Sequence, residues 1–145
     1  GSAQVSLALL SSELGLEARI LFPGHIRDMG RWYAMADAAV SASRSEGLPF
    51  NVMEAMYAGL PVVASQVKGH TDLITDGVTG LLYPYGDDRA CAEQILRLTT
   101  SVKLRRELAQ NAKADVERYG LDRVLPVVWG RYSKLYAASR HVVRQ

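Results

Sequence analysis

The run Ser45-Glu46-Gly47-Leu48-Pro49-Phe50-Asn51-Val52-Met53-Glu54-Ala55-Met56-Tyr57-Ala58-Gly59-Leu60-Pro61-Val62-Val63-Ala64 decides the fold. It reads as loop, helix, turn and strand. Pro49 suits the first turn of a helix, where its missing N–H would be unpaired anyway, and Gly59 then Pro61 stop the helix before a short β-prone segment. Glu46 therefore falls on the entering loop and Glu54 on the helix, eight positions later. The first-turn amides, from Leu48 to Val52, lack partners within the helix and present partial positive charge to an adjacent cleft. An anion fits there, with one carboxylate on each side. Carboxylates repel a phosphate, so they need another task. Hydroxyl groups supply one, because an ionised carboxylate accepts two or more hydrogen bonds and grips a vicinal diol. Phosphate in the middle and sugar hydroxyls at both ends describe a nucleotide sugar.

Working outward, Val5, Leu7, Leu9, Leu10 and Leu14 recur at rough helical spacing before Gly15, which predicts a first helix over residues 4–14. Ile20 to Phe22 reads as a short buried strand, residues 29–35 as a helix and 38–41 as a second strand. The alternation repeats through the glutamate run to a strand at 61–64, and through 72–74 into Leu81-Leu82-Tyr83. Apolar strands without alternation, separated by helices, indicate a parallel sheet buried on both faces. The last third is helical: Asp87 or Asp88 caps a helix to about Leu98, residues 102–116 form another, and a third starts at Leu121, with Pro126 positioned to kink it. The fold class is α/β, a partial doubly wound, Rossmann-like parallel sheet with a helical C-terminal third. There is no internal repeat, low-complexity stretch or linker.

At 145 residues the chain fits one domain. A hydrophobic share of 48% with 22% charged residues is ordinary for a soluble globular protein. The net charge of +2, on Lys and Arg residues that are spread out, argues against a nucleic-acid partner. Cys91 has no second cysteine to pair with and lies among Ala90, Ala92, Ile95 and Leu96, so it reads as a buried structural thiol in a reducing compartment. No apolar stretch approaches the roughly 20 residues that span a bilayer, and no secretion signal opens the chain; the expected location is the cytoplasm. Gly1-Ser2 reads as a cloning remnant. Residues 131–144 mix Tyr132, Leu135, Tyr136, Val142 and Val143 with Arg131, Lys134, Arg140 and Arg144. That pattern suits a terminal helix covering the core or a partner domain, with an anionic membrane surface as the alternative.

The glutamate run resembles the Glu-x7-Glu signature of the family-four (group 1) retaining glycosyltransferases, which use a two-domain GT-B fold. From about Leu14 to Tyr136 the order of segments is similar to the second half of that family's C-terminal, donor-binding domain. Leu14-Gly15-Leu16, Ile20-Leu21-Phe22-Pro23-Gly24-His25-Ile26, Ala36-Asp37-Ala38-Ala39-Val40, Asp76-Gly77-Val78-Thr79-Gly80-Leu81-Leu82 and Gly86-Asp87 look like family landmarks in family order. The resemblance implies that residues 1–145 are a nucleotide-sugar-binding domain fragment. An N-terminal acceptor domain, and a strand bearing a basic pair for the donor diphosphate, would precede it. With two central strands missing, the strands at Ile20 and Ala38 each lose a neighbour. They are expected either to pair with another chain, giving a homodimer, or to move together, which is the favoured outcome.

By the same resemblance Glu46 is the catalytic glutamate that faces the donor sugar and helps order the transition state at the anomeric carbon. Glu54 accepts from the ribose hydroxyls. Gly47, Leu48, Phe50, Asn51 and Val52 bind the donor mainly through backbone amides, Asn51 having a cap or a sugar contact as further tasks. His25 and Ile26, beyond a strand's C-terminal end, read the base through the backbone. Arg27 and Asp28 either assist there or form a surface ion pair, Arg44 faces phosphate or solvent, and His70 is a loop residue or a donor-sugar contact. No metal ligands and no cofactor are expected, since helix amides and basic groups can stabilise a leaving diphosphate. The implied activity is transfer of a hexose-type sugar from a nucleoside diphosphate sugar, uridine-linked by expectation, to a glycan or lipid-linked acceptor, at the inner face of the membrane. The whole enzyme would associate with the membrane peripherally, and the fragment alone would be inactive. The alternatives are a nucleotide-sugar-binding module without turnover, and a GT-B-type sugar-nucleotide epimerase or phosphorylase.

Overall fold

The computed structural model describes residues 2–142, with side chains from Ala3 to Ser133. The chain divides into two compact units, Gly1–Trp32 and Tyr33–Gln145. Their boundary falls inside helix α2 (Met29–Met35).

The first unit opens with α1 (Ser2–Glu13). Gly15 follows at φ 65°, and bonds from Gly15 N–H to Ser12 O and from Leu16 N–H to Ser11 O close the helix end. Residues 20–24 carry no strand. Ile20 N–H turns back to Leu16 O at 3.1 Å, and Leu21 is 72% exposed. The expected strand at Ile20 is therefore absent. Three apolar residues become a strand only through a hydrogen-bonded ladder.

In the second unit β1 (Ala39–Ser41), β2 (Val62–Ser65) and β3 (Leu81–Tyr83) form a parallel sheet in that spatial order. Ala39 stands opposite Val62, and Val63 opposite Leu81. The crossovers run through α3 (Phe50–Tyr57) and α4 (Lys68–Leu73). All four residues of β2 are buried, because the sheet is covered on both faces. Val62 and Ala64 pack with Val52, Ala55 and Met56 of α3 and with Ala112 and Val116. Val63, Leu81 and Tyr83 pack on the other side with Leu98 and Leu108. This two-sided burial is why the strand reads as a continuous apolar run. β1 lies at the sheet edge, with Val40 half exposed.

The helical third follows the expected order, as α5 (Asp88–Thr100), α6 (Val102–Val116), a short 3-10 turn (Glu117–Tyr119) and α7 (Leu121–Val142). Asp87 caps α5 by accepting from Ala90 N–H, and Ser101 caps α6 by accepting from Leu104 N–H. Pro126 lies inside α7, which continues past it. Cys91 is half-buried against the Val63 cluster. Of the 131–144 segment, the side chains beyond Ser133 lie outside the described residues. Among the described residues no helix is long and apolar enough to cross a membrane.

Candidate functional site

Helix α3 fixes the two glutamates. Pro49 is its N-cap, one position earlier than the sequence suggests, and no side chain caps the helix, so Asn51 is free of that task. The Pro49 carbonyl accepts from Val52 N–H at 3.1 Å and Met53 N–H at 3.0 Å. The N–H groups of Leu48, Phe50 and Asn51 donate to no backbone carbonyl. Those three amides are thus the free ones, whereas the Val52 amide is occupied and its side chain is buried in the core. Leu48, Phe50, Asn51 and Gly47 are all exposed, and the space where a Gly47 Cβ would stand is empty. At the far end Gly59, at φ 81°, allows Gly59 N–H to reach Met56 O and Leu60 N–H to reach Ala55 O, which turns the chain into β2.

Glu54 projects from the exposed side of α3. Tyr33 on α2 donates its hydroxyl to Glu54 Oε2 at 3.1 Å and lies 3.3 Å from Asn51 O. Burial, and then the neighbouring Glu54 carboxylate, push the Tyr33 phenol above its ordinary value. The phenol therefore stays a donor throughout the neutral range.

Glu46, half-buried, rests against α4. A Cβ at Gly69 would stand 2.6 Å from Glu46 Cβ and 2.7 Å from Glu46 O, so only glycine permits this approach. The next residue, His70, is fully buried on α4. That corrects the expectation of a loop residue or a donor-sugar contact: the backbone after Val67 is helical, and the imidazole is drawn inward by partners at the strand ends. His70 Nδ1 lies 2.8 Å from Ser65 O, an oxygen that can only accept, so the network assigns the proton to Nδ1. Nε2 then accepts from Ser41 Oγ at 3.1 Å. Ser65 Oγ donates to Ser43 O at 2.6 Å. The C-terminal ends of β1 and β2 are thereby tied together beneath the loop that leads to Glu46. That is the end of the strands at which open α/β sheets bind ligands.

His25 is exposed and Ile26 half-buried in the irregular stretch of the first unit. Asp28 pairs with Arg31 at 3.1 Å on the surface, and Arg44 is exposed. Lys68 is paired with Asp72 at 2.7 Å. Among the described residues no three His, Cys, Asp or Glu side chains form a group able to hold a metal. A cavity of about 250 Å³ opens at the other end of β1, lined by Asp37, Val40, Ile95, Leu98 and Arg105 among others, away from both glutamates. Sequence reasoning missed Tyr33, Ser41, Ser65 and Gly69. Each acts through a contact with residues distant in the chain, and only the glycine after Lys68 offered a signal.

Residues 1–115 match the family described as glycosyl transferases group 1. EpsD of Bacillus subtilis, which carries a glycosyltransferase name, is 32% identical over 133 residues, covering 92% of this chain and 35% of that protein. Sucrose-phosphate synthase from Thermosynechococcus elongatus has a similar structure, with a TM-score of 0.88 at 30% identity over 95% of this chain and 35% of its own. HepE of Anabaena, in a complex with UDP and glucose, gives a TM-score of 0.83 at 27% identity over 89% of this chain and 36% of its own. The chain spans about a third of the length of the relatives it matches.

Proposed function

The chain belongs to the group 1 glycosyl transferases, and we propose that it is the donor-binding part of a retaining enzyme that takes a uridine-linked nucleoside diphosphate sugar. The observation that carries this reading is the set of free amides at Leu48, Phe50 and Asn51, with Glu46 on the loop before them and Glu54 on the same helix after them. The diphosphate sits on the amides and is favoured there by the helix dipole. Glu54 accepts from the ribose hydroxyls, Glu46 faces the sugar ring, and Gly47 lets the donor approach the backbone. The HepE complex with UDP and glucose supports a uridine-linked donor.

Reaction is a front-face substitution. The bond from the anomeric carbon to phosphate oxygen breaks, and a bond to the acceptor oxygen forms on the same side. The acceptor's hydroxyl proton passes to the departing phosphate oxygen. A basic pair and an acceptor-binding domain outside residues 1–145 complete the site, and the acceptor is a glycan or lipid-linked glycan handled at the cytoplasmic face of a membrane. The complete protein, given a panel of UDP- and GDP-sugars with lipid-linked and soluble acceptors, should transfer sugar from a UDP donor with the anomeric configuration kept. Inversion in the product, or donor binding without transfer to any acceptor, would overturn the reading.

A further inference from the structure

Glu54 stands on an exposed helix face, where a glutamate normally samples several rotamers and spends much of its time turned to water. Here it does not stand alone. The Tyr33 ring packs against the core cluster that holds Met56 and Val52, so the ring is anchored while its hydroxyl faces α3. That hydroxyl has one proton and two acceptors within reach, Glu54 Oε2 at 3.1 Å and Asn51 O at 3.3 Å. The carboxylate is the stronger acceptor, because charge-assisted bonds exceed neutral ones. Among the described residues Glu54 has no Lys or Arg ion-pair partner, so its charge is steered without being neutralised.

We propose that Tyr33 is the positioning residue for Glu54: its hydroxyl holds Oε2, fixes the carboxylate rotamer, and leaves Oε1 free to accept from the donor's ribose before the donor arrives. This rests on the reading of Glu54 as the ribose acceptor. A carboxylate with one oxygen already engaged presents a defined set of lone pairs to a vicinal diol, and the rotamer need not be selected at each binding event. Tyr33 touches no substrate in this account; it acts through Glu54 alone.

The test is a double-mutant cycle in the complete protein, with Tyr33→Phe, Glu54→Ala and the pair, measuring donor KM, kcat and melting temperature. Phe keeps the ring and removes only the hydroxyl. Loss of one hydrogen bond to a charged group predicts a donor KM raised about tenfold in Tyr33→Phe, with kcat changed much less. The pair should be no worse than Glu54→Ala alone, because the hydroxyl has nothing left to position. A Tyr33→Phe protein with unchanged donor KM, or losses that multiply in the pair, overturns the proposal. So does a protein that fails to fold or melts lower without a KM effect, since the hydroxyl would then serve packing. If Glu54→Ala itself leaves donor KM unchanged, the ribose reading fails and the role of Tyr33 falls with it.

Discussion

Replacing Gly69 by alanine tests whether the position of Glu46 matters to the chemistry. The added Cβ would stand 2.6 Å from Glu46 Cβ, 2.7 Å from its carbonyl oxygen and 2.8 Å from its carbonyl carbon, where ordinary contact begins at 3.4 Å. Two of those three atoms are backbone, so Glu46 cannot rotate away and its loop must retreat by close to an ångström. Overpacking of this kind costs about 1–3 kcal/mol of stability. Misplacement of a reacting group by about 1 Å costs roughly a hundredfold in turnover. Gly69→Ala in the complete protein should therefore keep its fold, melt a few degrees lower, and lose about two orders of magnitude in kcat at saturating donor. Circular dichroism reports the fold and a steady-state transfer assay reports kcat. Wild-type turnover from a folded Gly69→Ala protein would refute the claim that Glu46 is held in place by this contact.

The two glutamates should separate kinetically. Glu54→Ala mainly raises donor KM, by an amount corresponding to roughly 1.5–3 kcal/mol, whereas Glu46→Ala depresses kcat more; equal effects on both constants count against the division of roles. His70→Ala removes the ring that joins Ser41 to Ser65 and leaves a buried void, so thermal denaturation should show a loss of about 3 kcal/mol; a change below the noise of the melt would mean the strand ends are held otherwise. Burial first, and then the nearby Cys91, raise the Tyr83 hydroxyl to about 12, so the unfolded chain loses this proton before the folded one does. Stability from Tyr83 is whole below about pH 10 and is lost as the pH rises toward 12. The alkaline melting curve of Tyr83→Phe should lack that component, and an identical curve would dismiss it.

The sheet and α3 could be read from the sequence because their signals are local. Val62-Val63-Ala64 is apolar at every position, which requires cover on both faces, and Gly59 sits where a helix end needs a positive φ. Pro49 located the start of α3 to within one residue. Ile20-Leu21-Phe22 has the same apolar composition and no strand, because a ladder is a property of neighbours that a single run cannot show. The same limit hid the supports of the site. Tyr33 meets Glu54 across 21 positions, and His70 meets Ser41 across 29. His70 reads as a loop residue because it follows the strand at 61–64. In the structure Gly69 serves close approach to Glu46 within a helix.

Whether the N-terminal end of α3, with Glu46 and Glu54, receives the donor nucleotide is read directly from a crystal structure of the complete protein with UDP bound. Diphosphate oxygens should lie about 3 Å from the amides of Leu48, Phe50 or Asn51, with the Glu54 carboxylate at a similar distance from a ribose hydroxyl. Nucleotide bound elsewhere, with Glu54 and those amides facing only water, would contradict that placement.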